Sequence, residues 1–111
     1  MTSNEGYQKA QQRIAEAKRT AASALDLSNL KLTQVPKELG QLANLTRLDL
    51  SHNQLTQVPK ELGQLANLTE LYLYQNQLTQ VPKEFGQLAK LATLRLENNP
   101  LNPEQQHKNK D

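Results

Sequence analysis

The stretch LTRLDLSHNQLTQVPKELGQLANL, residues 45–68, decides the fold, because shifting it by 23 residues in either direction places it on a similar sequence. Residues 32–46 and 55–69 are identical and read LTQVPKELGQLANLT. Self-similarity at a fixed period predicts a solenoid, in which each unit buries its apolar face only against its neighbours. Three columns of leucine follow the period: Leu25, Leu48, Leu71 and Leu94; Leu27, Leu50, Leu73 and Leu96; and Leu32, Leu55, Leu78 and Leu101.

The spacing of these residues resembles the leucine-rich repeat family, whose signature is L-x-x-L-x-L-x-x-N-x-L. Three copies match the signature in full and begin at Leu45, Leu68 and Leu91. The first copy departs from it twice, with Ala22 for the opening leucine and Leu30 for the asparagine. The second half of each copy, V-P-x-E-hydrophobic-G-x-L-x-x-L, is similar to the 23-residue intracellular type found in bacterial proteins, in Roco GTPases and in plant proteins related to Ras regulators.

The resemblance implies an α/β fold, a short right-handed leucine-rich repeat solenoid with a parallel concave sheet and an N-terminal capping helix. We predict a capping helix in residues 1–21, repeats in 22–101 (22–44, 45–67, 68–90 and a partial 91–101) and a polar C-terminal tail in 102–111.

Period-2 alternation predicts one short strand in each repeat, and identical connections between them require the strands to run parallel. In the second repeat, Leu48 and Leu50 are expected to point into the core, whereas Arg47, Asp49 and Ser51 are expected to point out. The four predicted strands are Ala24–Ser28, Arg47–Ser51, Glu70–Tyr74 and Thr93–Glu97.

An amphipathic helix is predicted for residues 4–20, with Thr2 and Glu5 at capping-box spacing. We expect this helix to cover the leucines of the first repeat, since terminal repeats of solenoids need caps with a polar outer face. Its four basic residues leave open a membrane-surface or partner-binding helix. Its narrow apolar face consists of Tyr7, Ala10, Ile14, Ala17 and Ala21.

Asn53, Asn76 and Asn99 follow the strands at the same position of each repeat. An asparagine amide both donates and accepts hydrogen bonds and tolerates unusual backbone angles, so we predict that the three hold the turns as a stacked ladder. Leu30 interrupts the ladder in the first repeat, where only one neighbouring repeat exists.

Differences between the copies concentrate on the predicted concave sheet, whereas the convex segments TQVPKELGQLAN, TQVPKELGQLAN and TQVPKEFGQLAK barely differ. Tyrosine and arginine on a rigid surface are typical of binding hot spots. A sheet of this size covers about 250 Å², against about 800 Å² per partner in a standard interface, so we expect weak binding from the sheet alone. The predicted partner-binding residues are Arg47, Asp49, His52, Glu70, Tyr72, Tyr74, Arg95 and Glu97.

The sequence offers no positive sign of catalysis, and we predict no cofactor and no metal. Asp26 and Asp49 are expected about 5 Å apart on adjacent strands, but on an open, wet face that cannot position a substrate. The chain has no Gly-rich phosphate loop, and its two histidines, His52 and His107, are far apart.

Net charge and cysteine content indicate which kind of partner and which cellular compartment to expect. The net charge is only +2 and no basic stripe follows the repeats, which argues against nucleic acid. The absence of cysteine favours a reducing compartment, and the N-terminus has no apolar run, so a cytoplasmic protein without membrane association is expected.

These observations predict a non-enzymatic module that binds a protein partner of unknown identity through its concave sheet. Two alternatives are a recognition module or fragment of a larger signalling protein, such as a Roco-type GTPase, and a structural, self-assembling repeat protein. The sequence after Leu101, NPEQQHKNKD, lacks the apolar residues needed to cover the last repeat. We therefore expect that the chain is truncated, or that self-association through the C-terminal repeat completes it.

Overall fold

The computed structural model describes residues 3–102, which form one helix followed by a four-stranded parallel sheet in the order β1-β2-β3-β4. Leu25, Leu48, Leu71 and Leu94 are partners across the sheet, so the strand register equals the sequence period. The predicted α/β leucine-rich repeat solenoid with a parallel sheet and an N-terminal helix is thereby confirmed. The elements are α1 (Ser3–Thr20), β1 (Ala24–Asp26), β2 (Arg47–Asp49), β3 (Glu70–Tyr72) and β4 (Thr93–Arg95).

The strands are three residues long rather than the predicted five, and an aspartate side chain binds the backbone just beyond each of the first two. Asp49 Oδ1 accepts hydrogen bonds from the Ser51 N–H at 2.9 Å and from the Ser51 hydroxyl at 2.6 Å. Asp26 and Ser28 repeat the arrangement at the same two distances. The prediction that Ser51 points out is wrong: it is 1% exposed, and its bond to Asp49 offsets the cost of burying a hydroxyl.

After each strand, the residue just before the asparagine position of the repeat lies in the left-handed region; in the first repeat, Leu30 occupies that position and Lys31 is left-handed as well, with a φ of 55°. The φ angles are 58° at Asn29, 57° at His52, 59° at Gln75 and 60° at Asn98. The unusual backbone angles were predicted at the asparagine itself. The turn instead places them one residue earlier, which leaves the asparagine side chain directed inwards.

The asparagine amides connect each repeat to the one before it. Asn53 Oδ1 accepts from Leu30 N at 3.1 Å and from Leu32 N at 3.0 Å, and Asn53 Nδ2 donates to Leu27 O at 3.0 Å. Asn76 and Asn99 make the equivalent bonds one and two repeats later. Each asparagine also donates to carbonyls of its own turn, but all of its bonds to another repeat reach backwards along the stack. The first repeat has no preceding backbone to hold, so Leu30 can replace its asparagine.

Three short 3₁₀ helices, Lys37–Gln41, Lys60–Gln64 and Lys83–Gln87, form the convex side, each directly after a proline. Their glycines allow close stacking. A Cβ on Gly40 would lie 2.6 Å from Glu61 O, and a Cβ on Gly63 would lie 2.6 Å from Glu84 O. Only a residue without a side chain fits at these two positions.

Helix α1 covers the first repeat. Its Ala10, Ile14 and Ala17 are buried, and a Cβ on Gly6 would lie 1.9 Å from Leu30 O, so the helix backbone rests directly on the turn. Arg13 Nη1 donates to Asp26 O at 2.9 Å at the outer edge of β1.

Two expectations for α1 change with the structure. Ala21, predicted on the apolar face, is exposed because it ends the helix with a φ of 53°. Thr2, predicted to cap the helix, lies outside the described residues. Among residues 3–102, no helix has the length and hydrophobicity that crossing a membrane requires.

The contact between α1 and the first repeat generates a stability prediction. Ile14→Asp should lower the free energy of unfolding by at least about 3 kcal/mol, because it removes a buried side chain and places a charge in the core. Thermal and urea unfolding followed by circular dichroism measure the change. Gln12→Asp, on the exposed side of the same helix, is the matched control; equal stability of the two variants would contradict the capping role.

The ladder of amides generates a second prediction. Asn76→Leu should cost about 1–3 kcal/mol, because the N–H of Leu55 and the carbonyls of two turns lose a buried partner. Asn44→Leu, at an exposed convex position, controls for adding a leucine. Urea midpoints of the two variants test the prediction, and wild-type stability of Asn76→Leu would show that the ladder is dispensable.

Candidate functional site

The concave face brings together seven of the eight predicted partner-binding residues. Two strand pairings set their places: Arg47 is the partner of Glu70 on β3, and Tyr72 is the partner of Arg95 on β4. His52, Tyr74 and Glu97 follow two or three residues beyond the strand ends. We call the seven side chains the arginine–tyrosine cluster: Arg47, His52, Glu70, Tyr72, Tyr74, Arg95 and Glu97.

Rings and guanidinium groups form the centre of this cluster. The Arg47 guanidinium carbon lies 5.4 Å from the Tyr72 ring centroid, and that of Arg95 lies 5.4 Å from the Tyr74 centroid. The Tyr72 and Tyr74 rings meet edge to face at 6.4 Å, and His52 meets Tyr74 in the same way at 5.3 Å. These contacts hold both tyrosines half-buried, with rings that stand fixed on the sheet.

The carboxylates of the cluster are engaged within it. The Tyr72 hydroxyl donates to Glu70 Oε1 at 2.6 Å, and this bond raises the pKa of the Tyr72 phenol above its ordinary value. Arg95 Nε donates to Glu97 Oε2 at 2.6 Å, and this bond lowers the pKa of Glu97. The Arg47 guanidinium is different, since it is exposed and makes no hydrogen bond or ion pair with any described residue.

Asp49, the eighth predicted residue, lies beside the cluster and holds its own turn. Asp26 and Asp49 are direct partners between β1 and β2, as predicted, but each carboxylate turns back to the serine two residues later. The hydrogen bond from the Ser28 hydroxyl is the main cause of a lowered pKa of Asp26. A carboxylate held ionised in this way is poorly suited to general acid catalysis.

The repeated D-x-S sequence is the signal that could have revealed this role, because aspartate side chains commonly bond to the backbone two residues on. Residues 3–102 contain no group of three or more histidine, aspartate and glutamate side chains that could hold a metal ion.

The bond between Tyr72 and Glu70 generates a titration prediction. Glu70→Gln should lower the pKa of Tyr72, because the Glu70 carboxylate accepts a hydrogen bond from the neutral phenol and repels the phenolate, and the variant removes this charge. Ring resonances of Tyr72 followed by NMR between neutral and alkaline pH measure the shift. Glu97→Gln removes another carboxylate of the same face and should leave the Tyr72 pKa nearer to its wild-type value. An unchanged pKa in Glu70→Gln would rule out the bond.

Solved structures of longer proteins contain the same architecture. A leucine-rich repeat protein of Leptospira interrogans is 46% identical, with a TM-score of 0.76 over 79% of this chain and 22% of that chain. YopM of Yersinia enterocolitica is 31% identical, with a TM-score of 0.68 over 86% of this chain and 19% of that chain. A TDR receptor is 25% identical, with a TM-score of 0.66 over 77% of this chain and 16% of that chain.

This chain therefore spans only about a fifth of the length of each of these structures. No curated protein matches it. The model of the family described as leucine rich repeat matches residues 22–78 and 43–101, which together cover all four repeats. With the register, the amide ladder and these matches in agreement, this chain belongs to the leucine-rich repeat family.

Proposed function

We propose that this chain is a non-enzymatic protein-binding module whose concave sheet contacts its partner through the arginine–tyrosine cluster. Leucine-rich repeat domains are generally modules for protein interaction, and the proposal extends that role to a particular face. The fold supplies a rigid surface, and function depends on the side chains placed on it.

The observation that carries the proposal is that the side chains of the arginine–tyrosine cluster contact one another in a defined arrangement. Both tyrosine rings are held by an arginine on one side and by another ring at an edge. Tyrosines fixed in this way lose little conformational freedom on binding, so more of the contact energy remains as affinity. Drift of solvent-exposed positions after duplication explains the cluster less well, because the equally exposed convex positions have barely changed between copies.

Charge indicates the chemistry of the partner. Glu70 and Glu97 are engaged by Tyr72 and Arg95, whereas the Arg47 guanidinium retains its hydrogen-bonding capacity. A carboxylate of the partner can pair with Arg47 while an apolar or aromatic group packs against Tyr74. Because the sheet covers about 250 Å², it fits a short acidic segment of a partner better than a whole domain face.

The proposal is tested with partners captured from the source cells and then purified. Affinity for each purified partner is measured by isothermal titration calorimetry. Tyr72→Ala combined with Tyr74→Ala should weaken binding at least about tenfold, since hot-spot truncations cost more than about 1 kcal/mol. Arg47→Gln should weaken binding more than Arg47→Lys does, because lysine keeps the positive charge.

Gln57→Ala combined with Lys60→Ala is the matched control, with both residues exposed on the convex side. It should change the affinity by less than about twofold. Circular dichroism establishes that every variant is folded. Equal affinity of the concave and control variants would refute binding through this face.

The remaining expectations from sequence stay predictions. They are a cytoplasmic location, a lack of binding to nucleic acid or membranes, and membership of a larger signalling protein such as a Roco-type GTPase. The similar structures are all much longer than this chain, which supports membership of a larger protein but not of a Roco-type GTPase in particular. Loss of partner affinity in the isolated chain relative to a longer parent protein would favour it.

A further inference from the structure

The first repeat carries small residues at two positions where the second repeat carries large ones. Ala22 stands at the position of Leu45, and Ala24 stands at the position of Arg47. Both alanines lie beside α1, since Ala22 N donates to Ala17 O at 2.9 Å and Ala24 faces the same helix across a cavity. These departures from the repeat pattern leave a space between the helix and the sheet.

The space has a volume of about 450 Å³, and we call it the α1–β1 groove. Its apolar surface comes from Ala17 and Leu25, which are buried, from Ala22, which is half-buried, and from Ala24, which is exposed. Polar side chains of α1 form the opposite wall. Ligand sites commonly occupy about 300–1,000 Å³ and combine apolar surface with a few polar groups, so the groove suits one apolar side chain with the backbone that carries it.

The groove is continuous with the arginine–tyrosine cluster. Ala24 is the sheet partner of Arg47, so the two positions lie about 4.8 Å apart on the same face. The Arg47 guanidinium lies 5.4 Å from the centre of the Tyr72 ring on β3 and therefore does not cover Ala24. A segment lying across the concave face can contact the groove and the cluster at the same time.

The charges around the groove favour a ligand with a carboxylate. The pKa of Asp26 is lowered mainly by the hydrogen bond from the Ser28 hydroxyl and further by the charges of Arg13 and Arg47, so two guanidinium groups flank this carboxylate. Glu16, on the wall formed by α1, is already neutralised by an ion pair within the helix. Two guanidinium groups with one carboxylate between them leave an excess of positive charge, which attracts an acidic ligand.

We infer that the α1–β1 groove receives an apolar, leucine-sized side chain of the same partner segment whose carboxylate pairs with Arg47. The inference rests on the proposed function, because it takes an acidic segment on the concave face as given and adds a second feature to that segment. The groove also extends the contact beyond the sheet, whose area of about 250 Å² is small against about 800 Å² per partner in a standard interface. Recognition then depends on an apolar and an acidic residue at a fixed spacing.

The sheet sets that spacing. Ala24 on β1 and Tyr72 on β3 are separated by two strand spacings, or about 9.6 Å, and the Arg47 guanidinium lies beside the Tyr72 ring. A segment in the polyproline II conformation advances about 9.3 Å over three residues and presents every third residue on the same side. The predicted motif is therefore an apolar residue and an acidic residue three positions apart.

Two synthetic peptides, acetyl-LPPE-amide and acetyl-EPPL-amide, test the motif in both chain directions, because proline favours the polyproline II conformation. Each is titrated into the isotope-labelled full chain and followed by NMR. At least one should bind and shift the amide signals of Ala22, Ala24 and Leu25. Replacing its leucine by alanine should weaken binding at least about fivefold, since less apolar surface is buried. Binding of neither peptide, or an affinity independent of the leucine, would overturn the inference.

Variants of the chain separate the groove from the cluster. Ala24→Gln should weaken binding of the peptide at least about threefold, because a longer polar side chain then occupies the groove. Ala66→Gln, the same change at an exposed convex position, should alter the affinity by less than about twofold.

Comparison with Arg47→Gln distinguishes failure of this inference from failure of the proposed function. Weaker binding in Arg47→Gln with wild-type affinity in Ala24→Gln would overturn the groove alone. Wild-type affinity in both variants would contradict the groove and the role of Arg47 in the proposed function together.

Discussion

The hydrogen bonds of the buried asparagine amides are the interaction on which the rest of the structure depends. The turn after each strand leaves backbone N–H and carbonyl groups that the short sheet cannot satisfy, and burying them unpaired is costly. The amide of the next repeat supplies the missing partners, as Asn53 does for Leu27, Leu30 and Leu32. Each repeat is thus completed by its successor, and stability depends on the contacts between repeats as well as on each repeat.

A structure completed in this way has two unequal ends. At the N-terminal end, α1 supplies both functions of a missing repeat: Ile14 covers the leucines, and Arg13 bonds to the edge of the sheet. At the C-terminal end of the described residues, Gly86 and Leu96 keep the features of an inner repeat without a neighbour to use them.

The concave face shows how far a repeated sequence can serve as its own alignment. Variation between copies identified the outward rows that contain Arg47, Tyr72 and Arg95, and strand register then placed these residues on one face. It could not reveal that Glu70 bonds to the Tyr72 hydroxyl or that Arg47 keeps its hydrogen-bonding capacity. Those facts depend on side-chain rotamers, which the sequence period does not restrict. Asp49 illustrates the same limit, because its carboxylate serves the turn to Ser51 although its position resembles that of the cluster.

The sequence by itself determined the repeat period, the parallel register, the leucine core and the role of the asparagines. All of these follow from a 23-residue spacing that must bring equivalent positions into contact. Only the tertiary structure decided where the strands stop, why Ser51 is buried and which residue adopts the left-handed turn. Each of these outcomes depends on local backbone angles and on hydrogen bonds between side chain and backbone, which the spacing of residues does not specify. A periodic pattern states what each repeat contains, whereas contacts between repeats and at the ends depend on the three-dimensional arrangement.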